Sequence, residues 1–151
     1  MWVLKVKPHV LVGLSGVGSI FTEEVLKAMR VSGHMRPAIF VLSCPSKDAE
    51  CTAEDAFKHA GESIIFGSGS QYKDVDLGNN KVGYVNHMNN IYFFPGIVSG
   101  AIVSGARLIS DRMLVAASSR LASYMMSYLN TEDIERGILF PPSTPSSKWY
   151  F

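Results

Sequence analysis

The residues best suited to small-molecule chemistry stand in the run Asn89-Asn90-Ile91-Tyr92-Phe93-Phe94-Pro95-Gly96. Each side-chain amide offers donors and an acceptor together, which suits a carboxylate or hydroxyl ligand. Proline fixes φ and has no N–H to leave unpaired, so Pro95-Gly96 fits the first turn of a helix. The small-residue apolar segment from Ile97 to Ala106 marks that helix as buried. A polar pair on the lip of a buried helix is one way to build a ligand site. The plainer role for adjacent loop asparagines is a turn or a helix cap. A second group is Gly13-Leu14-Ser15-Gly16-Val17-Gly18, a loop whose backbone is free to approach a ligand closely. Its spacing is G-x-x-G-x-G, not the dinucleotide fingerprint G-x-G-x-x-G. Pro37 to Leu42 also lacks the acidic residue that would hold a ribose. The loop therefore reads as lying beside some other part of a nucleotide, not around its pyrophosphate.

The remaining reactive groups are dispersed. Cys44 falls at an expected strand end, where a nucleophile would sit, but no histidine is tied to it by a motif. Glu50 and Glu54 are four apart and could share a helix face, but Glu54 is better explained by charge near a helix start. Asp74 and Asp76 flank an expected hairpin. His9, His34, His59 and His87 are isolated, and only His87 lies close to the amide pair. No three or four ligands show a metal spacing.

These residues need elements to position them. Lys7 to Leu14 is a short β-branched apolar run closed by glycine and predicts a buried strand. Thr22, followed by Glu23 and Glu24, predicts an N-cap and a helix to about Arg30. The unit then repeats. Ala38 to Leu42 is a second strand, Thr52-Ala53-Glu54-Asp55 resembles a capping box opening a helix to Ala60, and Ser63 to Phe66 is a third strand. Strands alternating with helices over short loops predict an α/β fold: a partial Rossmann-like parallel sheet with flanking helices. In such sheets ligands gather at the strand carboxyl ends, where all three polar loops fall. Gly78-Asn79-Asn80 predicts a hairpin within Asp76 to Val85. C-terminal helices follow. Asp111 to Leu129 carries an apolar stripe of Leu114, Ala117, Leu121, Tyr124, Met125 and Tyr128, read as core, and Thr131 to Arg136 is a last turn capped by Gly137. Pro141 to Ser147 is rich in proline and serine and reads as disordered.

The bulk properties exclude several classes. With 151 residues, 47% of them hydrophobic, the chain favours one globular domain. A net charge of +1 and the lack of a basic–aromatic patch give no reason to invoke nucleic acid. The apolar stretch from Ile91 to Ala106 is shorter than the roughly 20 residues a membrane span needs, and Pro95 interrupts it. Cys44 and Cys51 form neither a disulfide framework nor a zinc spacing, which points to a reducing compartment. Met1 to Val12 has neither a signal-peptide cleavage site nor transit-peptide composition.

Taken together, KPHVLVGLSGVG, RPAIFVLSCPSKDAECTAEDAF, IIFGSGS and NNIYFFPG resemble, in that order, blocks of the malic enzymes, closest to the plant mitochondrial NAD-dependent type. The resemblance covers Lys5 to Leu139. It implies that residues 5–140 are the C-terminal part of a malic enzyme NAD-binding domain; the tail, 141–151, departs from the family from Pro142 on, and it is its composition that reads as disordered. The family oxidises and decarboxylates malate to pyruvate and CO2 with NAD or NADP, and with Mg2+ or Mn2+ as Lewis acid. The resemblance implies that Leu14 and Ser15 contact the cofactor and that Asn89 and Asn90 help hold malate. Cys44 replaces a family asparagine that reaches substrate and cofactor, so an amide with strong hydrogen bonds gives way to a thiol. Ser19, Gln71, His87 and Met88 also depart from the family pattern. The family's lysine base, tyrosine acid, metal carboxylates and pyrophosphate loop match nothing in this chain. The expectation is a malic enzyme fragment, inactive alone, in the mitochondrial matrix, either independent or part of a longer subunit and able to join homo- or hetero-oligomers. The alternative is a non-catalytic partner docking on full-length malic enzyme subunits.

Overall fold

A computed structural model of the chain describes residues 2–140. The predicted tail from Pro141 lies outside the described residues. The chain divides into two compact units. The first runs to Met88 and adds Glu132–Ile138; the second holds Asn89–Thr131 with Leu139 and Phe140.

In the first unit a short helix α1 (Trp2–Val6) precedes β1 (Val10–Gly13). Then come α2 (Glu23–Arg30), β2 (Ala38–Val41), α3 (Ala53–Ala60) and β3 (Ile65–Ser68). A hairpin of β4 (Val75–Gly78) and β5 (Lys81–Gly83) follows, and then β6 (Val85–His87). The sheet order is β1-β2-β3-β6 and every pair is parallel. The βα repeat was legible in the strand and helix patterns. Helix α1 and strand β6 were not: the sequence left residues 2–6 unassigned and ended the hairpin at Val85.

Register explains the core. Leu11, Ile39 and Phe66 lie side by side, as do Gly13, Val41 and Ser68. On that face Ile39, Val41 and Phe66 pack against Leu26 and Met29 of α2 and Ala53, Ala56 and Phe57 of α3. Val10 and Val12 point the other way from edge strand β1 and are exposed. The expected parallel sheet with flanking helices is thus present, with α2 and α3 packed on this face. Thr52 caps α3, accepting from Asp55 N at 3.1 Å and donating to Asp55 Oδ2 at 2.8 Å. Thr22 takes the N-cap position of α2 but makes no side-chain cap bond. Asn79 and Asn80 have φ of +52° and +61°, the left-handed geometry of a tight hairpin turn. Asn86 donates to Phe66 O and, 51 residues on, to Gly137 O, at 2.9 and 2.8 Å. The latter caps α6 (Thr131–Glu135) with φ +83°.

The second unit contains α4 (Phe94–Val103), with proline in its first turn, and α5 (Asp111–Tyr128), capped by Ser110 at Met113 N. The expectation that α4 is buried is overturned. Only Ile97 of its residues is buried, while Val98, Ile102 and Val103 are exposed. Burial is set by what packs on a helix, and α4 has α5 and the 3-10 turn before it as neighbours in its own unit. The α5 stripe is likewise partial: Met125 is buried, Leu114 and Tyr128 are exposed.

Candidate functional site

Three loops meet at the carboxyl ends of β1, β2 and β3, and one side chain binds two of them together. Glu50 lies just before α3 and is completely buried. Its Oε1 accepts from Ser15 N at 2.8 Å, from Ser15 Oγ at 2.8 Å and from Ser43 Oγ at 2.5 Å. Ser43 Oγ in turn accepts from Gly16 N at 2.9 Å, and Ser15 Oγ accepts from Val17 N at 3.1 Å. Among the described residues Glu50 Oε2 has no hydrogen-bond partner. Burial alone would raise this carboxyl, but the bonds from Ser43 and Ser15 outweigh it and hold the group below its ordinary value.

The glycines make this arrangement possible. A Cβ on Gly13 would sit 2.5 Å from Glu50 Cδ, and one on Gly18 would sit 2.5 Å from Lys47 O. Farther along, Ser19 N donates to Ala49 O and Phe21 N to Glu50 O. The loop from 13 to 21 is therefore fastened along its length to the segment from 43 to 50. Gly16 has φ +65°, where a side chain would strain the turn.

Two expected cofactor residues lie on this rim. Leu14 is 74% exposed, and Ser15 is exposed while anchored from behind by Glu50. Cys44 is also exposed, before a cis peptide to Pro45, with Sγ 3.3 Å from Ser70 Oγ of the third loop. The other thiol, Cys51, is buried; burial first, then the carboxylates of Asp55 and Glu50, push it up to about 12, so it is inert at neutral pH. His87 sits on β6 opposite Ser68.

The amide pair lies in the second unit. Asn89 caps a 3-10 turn (Asn90–Tyr92), its Oδ1 accepting from Ile91 N at 2.9 Å. Its oxygen thus performs the capping role open to a loop asparagine, and its amide nitrogen carries the donors. Asn90 is exposed on the first position of that turn. Glu50 and Glu54 do not share a helix face: Glu50 precedes α3 and points inward, while Glu54 is exposed in the first turn of α3, as its reading from helix charge had it. Sequence reasoning missed the role of Glu50. Its one signal was an acid enclosed by apolar neighbours in Ala49-Glu50-Cys51.

Parallel strands with short helical crossovers, and glycine- and serine-rich loops gathered at their carboxyl ends, define a Rossmann-like α/β fold of the nucleotide-binding kind. Within that class the chain belongs to the malic enzyme NAD-binding domain family, whose family model matches residues 2–147. It is 60% identical over 139 residues to NAD-dependent malic enzyme 2, mitochondrial, of Arabidopsis thaliana. It is 61% identical over 139 residues to the NAD-dependent malic enzyme 59 kDa isoform, mitochondrial, of Solanum tuberosum. A more distant relative, 43% identical over 142 residues, is the chloroplastic NADP-dependent malic enzyme of Oryza sativa subsp. japonica. These alignments cover 92%, 92% and 94% of this chain but only 22%, 22% and 21% of the relatives. The chain therefore spans about a fifth of the length of the curated relatives it matches.

Proposed function

We propose that this chain provides the later part of a malic enzyme's NAD-binding domain and serves malate oxidation and decarboxylation only together with further parts of such an enzyme. The observation that carries this reading is the fastened loop pair at the strand carboxyl ends, with Leu14 and Ser15 exposed on its rim. Both residues would contact the cofactor, which when bound takes the hydride from malate. Asn89 and Asn90 would hold malate through amide groups. Cys44 would stand where the family places an amide between substrate and cofactor. Greater identity to the NAD-dependent relatives than to the NADP-dependent one favours NAD, and their mitochondrial names favour the mitochondrial matrix.

The residues present do not fit the family's metal. Among the described residues no group of three or more His, Cys, Asp or Glu side chains is placed to hold an ion. A second reading, a non-catalytic chain that docks on full-length malic enzyme subunits, is supported by the exposed apolar residues of α4.

Calorimetric titration of NAD and NADP into the 151-residue chain, with a malate oxidation assay alongside, tests the main reading. The expected result is NAD binding without turnover. Turnover by the chain alone would overturn the assignment of acid–base and metal groups elsewhere. Absence of NAD binding would overturn the cofactor role of the 13–18 loop.

A further inference from the structure

Successive backbone N–H groups in a glycine-rich turn commonly form a concave nest for a phosphate. In this chain the N–H groups of Ser15, Gly16 and Val17 are all already taken: by Glu50 Oε1, Ser43 Oγ and Ser15 Oγ. The two hydroxyls that serve as acceptors donate in turn to Glu50 Oε1. One buried carboxylate oxygen thus terminates every one of these chains. We infer that Glu50 is a built-in anion of the glycine loop: it fixes the loop's shape and occupies the amides that would otherwise receive a phosphate. The inference rests on the nucleotide-binding reading and sharpens it, since it assigns the loop to a part of the nucleotide other than its phosphates.

The geometry supports each part. A carboxylate is the strongest acceptor available to a backbone N–H, and charge-assisted bonds of this kind are about twice as strong as neutral ones. Gly13 has no Cβ, and one placed there would overlap Glu50 Cδ, so the sequence leaves room beneath the loop for this side chain. The carboxylate charge also repels a phosphate approaching the same amides from the rim. The side chains of Leu14 and Val17 and the outer surface of Ser15 remain exposed on the loop and suit sugar, amide or ring contacts.

The test is nuclear magnetic resonance of the 151-residue chain, reading the amide signals of residues 13–18. Two measurements are made: hydrogen exchange, and titration with inorganic pyrophosphate. In the wild-type chain Ser15 and Gly16 should exchange slowly despite their rim position, and pyrophosphate should leave their signals unmoved. Glu50→Gln keeps the shape and an acceptor but removes the charge. It should speed Ser15 exchange by about tenfold while leaving the Ile39 and Phe66 amides unchanged. Ser43→Ala should speed Gly16 more than Ser15, because only Gly16 N depends directly on that hydroxyl. Saturable shifts of Ser15 to Val17 by pyrophosphate in the wild-type chain would overturn the inference. So would a Glu50→Gln chain with unaltered Ser15 exchange. Both outcomes are independent of NAD titration, so failure here is distinguishable from failure of the cofactor reading.

Discussion

Glu50 shows how a single buried charge is made tolerable. An isolated carboxylate out of water is costly, and its hydrogen bonds must more than offset that cost. The three donors on Oε1 do so, which is why the group is held below its ordinary value despite burial. The consequence for stability has a definite sign. A depressed folded pKa stabilises the fold above the ordinary carboxyl value of about 4.5, and that contribution is lost as pH falls through the lower folded value. Thermal melts of the chain between about pH 7 and about pH 3 should show an acid limb that Glu50→Gln flattens. An identical limb in the variant would place the titrating group elsewhere. None of this was legible at residue level, because the donors lie 35 and seven residues from Glu50 in sequence. The asparagine pair was legible in kind: Asn89 does cap a turn.

At the scale of elements, caps separate the helices that the sequence predicted alike. Thr22 and Thr52 both occupy N-cap positions, yet only Thr52 makes a side-chain bond to its helix. Thr52→Ala should cost about 1 kcal/mol in urea unfolding, whereas Thr22→Ala should cost a few tenths at most. Equal losses would contradict the cap geometry. The strands β1, β2 and β3 were readable because short apolar runs with β-branched residues, closed by glycine or a polar loop, carry their own signal. Strand β6 was not, because Val85-Asn86-His87 is short and its polar residues find partners in β3 and at Gly137, far off in the chain. Helix α4 was readable as a helix from Pro95, but its burial was not, since apolar composition says nothing about which neighbour arrives to cover it.

For the molecule as a whole, exposed apolar surface is the feature that composition concealed. Ile102 is 74% and Val103 88% exposed on α4, Val115 is exposed on α5, and Val10 and Val12 are exposed on the sheet edge. Apolar residues in such number on described surface favour association. The isolated chain should bind a hydrophobic dye and should co-purify with a full-length malic enzyme subunit in a salt-insensitive manner. A dye-silent monomer with a sharp melt would count against both. No described helix is long and apolar enough to cross a membrane. A final consequence follows from the bond between Asn86 and Gly137, which closes the first unit across 51 residues. Ribosomes extend chains at roughly 5–20 residues per second, so β6 emerges about 3 to 10 s before the carbonyl that completes its amide's bonding. During that interval the nascent sheet carries its last strand without its lock.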